Sequence, residues 1–255
     1  MEPSLVRRVL IVALSLCCAV FPSAGAAQTP AAPPPQAPPP TWAGALGAGL
    51  SLTRGNSDTL NFNVAFDLTR TPEARNVMEL KARFLRGESD GSLVTQRTSA
   101  TLRDRHTLSG RTFLYGQVEY LRDTFKLIDY LIAPTVGVGF KLVDTESRKF
   151  FLDAGVGSIT EKNSGAARTN AAVTASEKLA IQLTPTSSLK HEASGLWKTS
   201  DFSDALYTFS FGLATKISER TQLSLDLLDT FRTKRPSPFT KRNDVALVAS
   251  IVAKF

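Results

Sequence analysis

From Thr59 to Arg70 the chain reads TLNFNVAFDLTR. Leu60, Phe62, Val64, Phe66 and Leu68 fall on one side of an extended backbone. Thr59, Asn61, Asn63, Asp67 and Thr69 fall on the other, with Ala65 alone out of character. A repeat of two marks a strand, whereas a helix would scatter these side chains round its circumference. The stretch is about twice the length of an ordinary soluble strand. About ten alternating residues, tilted, cross the hydrocarbon layer of a membrane. The stretch is therefore predicted to be one stave of a transmembrane β-barrel.

The rest of the chain repeats it. Alternating segments are expected at Trp42–Thr53, Asn76–Arg86, Val94–His106, Arg111–Arg122, Ile128–Leu142 and Lys149–Lys162. They continue at Ala167–Leu183, Ser188–Lys198, Ala205–Ile217, Thr221–Arg232 and Asn243–Phe255, with Glu177 a blemish on an apolar side. Turns such as Gly55-Asn56-Ser57-Asp58 separate them, because Gly and Asn accept the left-handed conformations of tight hairpins. The fold class is all-β, an antiparallel up-and-down transmembrane β-barrel of about twelve strands. If Trp42 starts in the periplasm, the short connections near Thr71, Ser109, Asp144, Pro185 and Glu219 are periplasmic. The longer ones, Lys198–Asp204 and Arg232–Arg242, then lie outside.

Alternation alone does not say which face is inside. A soluble periplasmic or secreted barrel binding a lipid or other apolar ligand would turn the apolar face inward. Three features favour an apolar face turned to outer-membrane lipid: long strands, apolar faces that mix large residues with Ala and Gly, and the closing strand. In that strand Ala249, Ile251, Ala253 and Phe255 alternate, and terminal Phe255 resembles the signal read by the outer-membrane assembly machinery.

Residues 1–27 read as a secretory signal peptide. Arg7 and Arg8 precede an apolar run from Val9 to Phe21, and Ala24-Gly25-Ala26 offers a cleavage site. Both cysteines, Cys17 and Cys18, fall inside it, so the mature chain is expected to hold neither a disulfide nor a thiolate metal site. Residues 28–41, QTPAAPPPQAPPPT, form a proline-rich linker, either a passive spacer or a rod toward a periplasmic partner. Residues 42–255 are the barrel, and the bacterial outer membrane is its location. The 30 Lys+Arg and 23 Asp+Glu of the whole chain become 28 and 22 once Arg7, Arg8 and Glu2 leave with the signal. These charges are scattered along alternating segments rather than clustered, which argues against nucleic acid as a partner.

No catalysis, cofactor or metal is expected. The two histidines, His106 and His191, both thread to the periplasmic end, away from the outer rim where an outer-membrane enzyme would use them. The charges on the polar faces are more informative: Asp67, Glu79, Lys81, Arg83, Arg97, Arg103, Glu119, Asp129, Lys141, Asp153 and Asp226 are expected to line the lumen. They either form a narrow, weakly anion-preferring pore or pair across the lumen and plug it. Trp42, Tyr115, Tyr120, Tyr130, Trp197 and Tyr207 are candidates for the interfacial aromatic girdles.

Three pieces carry a family resemblance: Trp42 with the glycine-spaced strand ending in Gly55-Asn56-Ser57-Asp58-Thr59; Tyr120-Leu121-Arg122-Asp123-Thr124-Phe125 with Ile128-Asp129-Tyr130 and Gly137-Val138-Gly139-Phe140; and the strand ending in Phe255. The chain resembles a Gram-negative family of outer-membrane barrels of undefined function, some called salt-induced outer-membrane proteins. That resemblance implies a fold and a location and carries over no catalytic residue.

Overall fold

The computed structural model describes residues 42–255, apart from 55–58, 74, 90–91, 125–126, 164 and 235–240. The expectations for residues 1–27 and 28–41, and for the turn at Gly55-Asn56-Ser57-Asp58, lie outside the described residues. Twelve strands follow one another: β1 (Trp42–Arg54), β2 (Thr59–Glu73), β3 (Asn76–Ser89), β4 (Ser92–Thr107), β5 (Thr112–Asp123) and β6 (Ile128–Asp144). Then come β7 (Arg148–Lys162), β8 (Arg168–Gln182), β9 (Ser187–Lys198), β10 (Asp201–Lys216), β11 (Thr221–Arg232) and β12 (Asn243–Lys254). Each pairs antiparallel with its neighbours in sequence, and β1 pairs with β12 to close the ring. Closure leaves no edge strand with unpaired N–H and C=O groups, a condition any sheet must meet in lipid.

The apolar face points outward. Leu60, Val136, Val156 and Ile251 are among the most exposed large apolar residues, while Asn63, Arg103, Asp153 and Ser250 are buried on the opposite side. Only a surrounding of acyl chains makes that distribution favourable, and it rules out the inward-facing arrangement of a soluble lipid-binding barrel. The closing seam is made by Phe255, whose N–H donates to Gly44 O (3.0 Å) and whose carbonyl accepts from Gly44 N–H (2.8 Å). Its ring lies over Gly44, where any side chain would collide with it.

One connection and one residue depart from expectation. The strands β9 and β10 are joined by Thr199 and Ser200 alone, not by a loop from Lys198 to Asp204. The extra residues are absorbed as a bulge, because pairing jumps from Asp201↔Lys198 to Ala205↔Trp197. The second departure is His191, which stands four residues inside β9 on the outward face, not at a periplasmic rim.

Candidate functional site: the barrel lumen

Within the lumen, one wall is filled by a layered stack. On β6 and β7 the inward positions Gly137, Gly139 and Gly155 carry no side chain, and rings from β5 occupy the space. A side chain at Gly137 or Gly155 would meet Tyr115, and one at Gly139 would meet Phe113. Arg103 from β4 lies over the Tyr115 ring at 4.0 Å and continues to β7, where its Nη2 donates to Asp153 (2.5 Å). Asp153 also accepts from Ser176 Oγ at 2.6 Å. Only 7% and 3% of the Arg103 and Asp153 side chains remain exposed. One tier nearer the termini, the Arg105 guanidinium sits 5.5 Å from Phe113 and 5.2 Å from Phe151. The glycine spacing of the sequence thus serves ring packing in the lumen.

The opposite part is more open. Lys81 on β3 donates to Glu192 on β9 at 2.6 Å. These strands are six apart in a ring of twelve, so the pair spans the lumen. Yet 35% and 40% of the two side chains stay exposed, and inward-facing Ser194 and Thr208 are exposed as well. The charges of Lys178 and Arg83 also act on Glu192. Toward the end away from the termini, Leu121, Ile128, Leu131, Ala133, Ile159, Ala172 and Leu196 form an apolar cluster. Beside it Glu161 accepts from Lys198 and, at 2.7 Å, from Arg232, and Lys198 also donates to Asp204 at 2.7 Å.

The structure places the expected lumen set as follows. Asp67 lies opposite Lys81 and Glu79 opposite Arg103 in the strand register. Both Arg97 Nη groups reach Thr230 Oγ1 at 3.4 Å. Glu119 accepts from Gln117 Nε2 at 2.6 Å, Asp226 accepts from Ser224 Oγ at 2.5 Å, and Lys141 pairs with Asp144 at 3.2 Å. Asp129 is the exception: the bulge at Leu121/Asp123 turns Ile128 inward, so Asp129 is exposed and faces Lys162 at 3.8 Å. Sequence reasoning missed Glu192, Lys178, Glu161, Lys198 and Arg232. The same alternation, carried along β7, β8, β9 and β11, would have found them.

The girdle residues divide. Tyr115 is inside the lumen, not at an interface. Trp197 Nε1–H donates to the Tyr207 hydroxyl (3.1 Å) on the outer face, and Trp42 lies under Arg70 at 5.4 Å. On that outer face Glu177 accepts from His191 Nε2 at 2.9 Å, with the imidazole 4.8 Å from the Phe209 ring. The Ser210 carbonyl faces the other ring nitrogen at 3.2 Å. Among the described residues no group of three His, Asp or Glu side chains gathers as a metal site would require.

The family model described as "Protein of unknown function, DUF481" matches residues 46–255. The chain belongs to the DUF481 family. No curated protein matches the chain. Among solved structures, the NanC porin is similar, with a TM-score of 0.56 at 6% identity over 82% of this chain and 100% of that one. An outer membrane channel from Pseudomonas putida F1 gives 0.51 at 14% identity, covering 86% and 97%. The translocator domain of the autotransporter NalP from Neisseria meningitidis gives 0.51 at 9%, covering 98% and 95%. At these identities the likeness is one of fold, and the DUF481 chain is a porin-like transmembrane β-barrel.

Proposed function

We propose that this DUF481 barrel is a narrow, water-filled outer-membrane channel with a weak preference for anions and no catalytic role. The observation that carries the reading is the exposure of Lys81, Glu192, Ser194 and Thr208 inside the lumen beside a wall packed solid by Arg103, Tyr115 and Asp153. The Lys81–Glu192 pair bridges the more open part beside that wall. Lumen charges of both signs, with cations in excess after pairing, would favour anions only mildly. Strand β1 begins and β12 ends on the side opposite the longest connection, between Arg232 and Asn243, and by analogy with other barrels that side is periplasmic. The surrounding lipid and the machinery that inserts barrels are its partners in this reading. His106 and His191 both face outward, where no substrate in the lumen could reach them, so an enzyme is disfavoured.

Planar-bilayer recording tests this. The wild type should give small single-channel steps with an anion-to-cation permeability ratio only slightly above one. The double variant Lys81→Ala/Glu192→Ala should enlarge the steps, because it removes the bridge and leaves no unpaired charge. Silence from both proteins would overturn the channel reading and leave a closed structural barrel.

A further inference from the structure

The two mouths differ in how their charges are matched. At the mouth away from the termini the inward cations Lys198 and Arg232 are tied to Glu161 and Asp204, and Lys234 on the rim is tied to Asp201. At the terminal mouth Lys190 on β9, Lys216 on β10 and Lys254 on β12 share the inward parity of Glu192, Gly212 and Ser250. Gln222, between them on β11, pairs with Lys216 and Val252 in the strand register. None of the three lysines has a carboxylate partner among the described residues. Two inward acids flank Lys190: Glu192, two residues along β9, is held by Lys81, and Asp226, across Gly212, accepts from Ser224. On the facing wall Arg105 rests on aromatic rings with no acid partner, and its Nε is buried without a hydrogen bond. Lys141 alone is matched, by Asp144.

We infer that this arc is a binding site for a soluble anion carrying two or more phosphate or carboxylate groups, with Lys190, Lys216, Lys254 and Gln222 as its contacts. The inference deepens the channel reading and rests on it for what happens to the anion next. Lys216 lies opposite Gln222, which lies opposite Val252, two residues before Lys254, and Lys190 lies opposite Gly212, so three like charges share one arc and repel one another. Such mutual repulsion is relieved when a multivalent anion bridges the charges, and a monovalent ion relieves much less of it. Gln222 adds an amide donor at the centre of the arc. Lysine suits the site because its ammonium meets phosphate as a point charge, without the fixed geometry of a guanidinium.

The test is calorimetric titration of the detergent-solubilised barrel with inorganic tripolyphosphate, citrate and chloride at low ionic strength. Tripolyphosphate and citrate should bind and chloride should not, with affinity falling steeply as salt is added. The variant Lys190→Gln/Lys216→Gln/Lys254→Gln should lose at least about tenfold in tripolyphosphate affinity, whereas Lys162→Gln/Lys234→Gln at the other mouth should keep it. Heat-modifiable gel migration checks that each variant is folded. Equal binding by the two variants overturns the site. So does binding confined to vesicles containing phosphatidylglycerol, which would assign the charge to lipid headgroups. Tripolyphosphate binding without conductance removes the channel and keeps the site, while conductance without binding does the reverse.

Discussion

At the scale of single residues, two polar pairs outside the lumen answer to different perturbations. Glu177 and His191 pair on the face turned to lipid, where water cannot replace a lost partner. The Glu177 carboxylate takes one ring nitrogen of His191 and the Ser210 carbonyl faces the other, so the ring is held on both sides. Glu177→Leu alone strands a polar ring and should cost about 1–3 kcal/mol. Glu177→Leu/His191→Leu should recover most of that loss. A double-mutant cycle on detergent unfolding measures it, and additive losses would mean that the pair is not coupled. By contrast, Asp201 sits on the rim, where Lys234 and the Ser203 hydroxyl hold its carboxyl down at about 2. A depressed carboxyl pKa contributes above its ordinary range and loses that contribution as pH falls through the folded value. The Asp201–Lys234 pair should therefore stay intact from neutral pH to about pH 3, and a carboxyl NMR titration of Asp201 reads it directly.

At the scale of the strand, the two faces of the sheet tolerate change differently. Val136 points into lipid, and Val136→Arg should cost about 2–4 kcal/mol and depress the yield of folded protein. Ser194 faces the open part of the lumen, so Ser194→Arg should assemble normally and narrow the pore, as folded yield and conductance together would show. Gly139→Leu should drive Phe113 off β6 and cost about 1–3 kcal/mol through overpacking, lowering the temperature at which gel migration shifts. Much at this scale was legible beforehand. Alternation located every strand to within a few residues, because in lipid a strand's faces must differ along its full length. Tyr115 and Asp129 were not legible. Tyr115 reads as a girdle residue until the empty space at Gly137 and Gly155 is known, and the facing of Asp129 depends on a bulge without a sequence marker. Nor could alternation show which lumen charges meet, since Lys81 and Glu192 are brought together only by ring closure.

At the scale of the whole molecule, the continuous outward apolar band predicts that the protein fractionates with outer membranes and resists extraction by salt or alkali. Recovery as a soluble periplasmic protein would contradict the architecture. The packed wall makes a further prediction. Arg103→Ala leaves Asp153 buried without its partner and should destabilise by about 3–5 kcal/mol, where loss of the exposed Lys81–Glu192 bridge should cost far less. Thermal gel-shift curves of the two variants separate these outcomes. The seam between β1 and β12 bears on how such a molecule comes into being. Ala45 meets Lys254, about 200 residues away along the chain, so the contact that completes the ring cannot form until the last strand has been made. Until then the first strand offers a bare edge to any other chain it meets, and a stalled or shortened product would keep that edge. The interval between synthesis and closure is the dangerous part of this protein's life, and the ring of Phe255 set over Gly44 ends it.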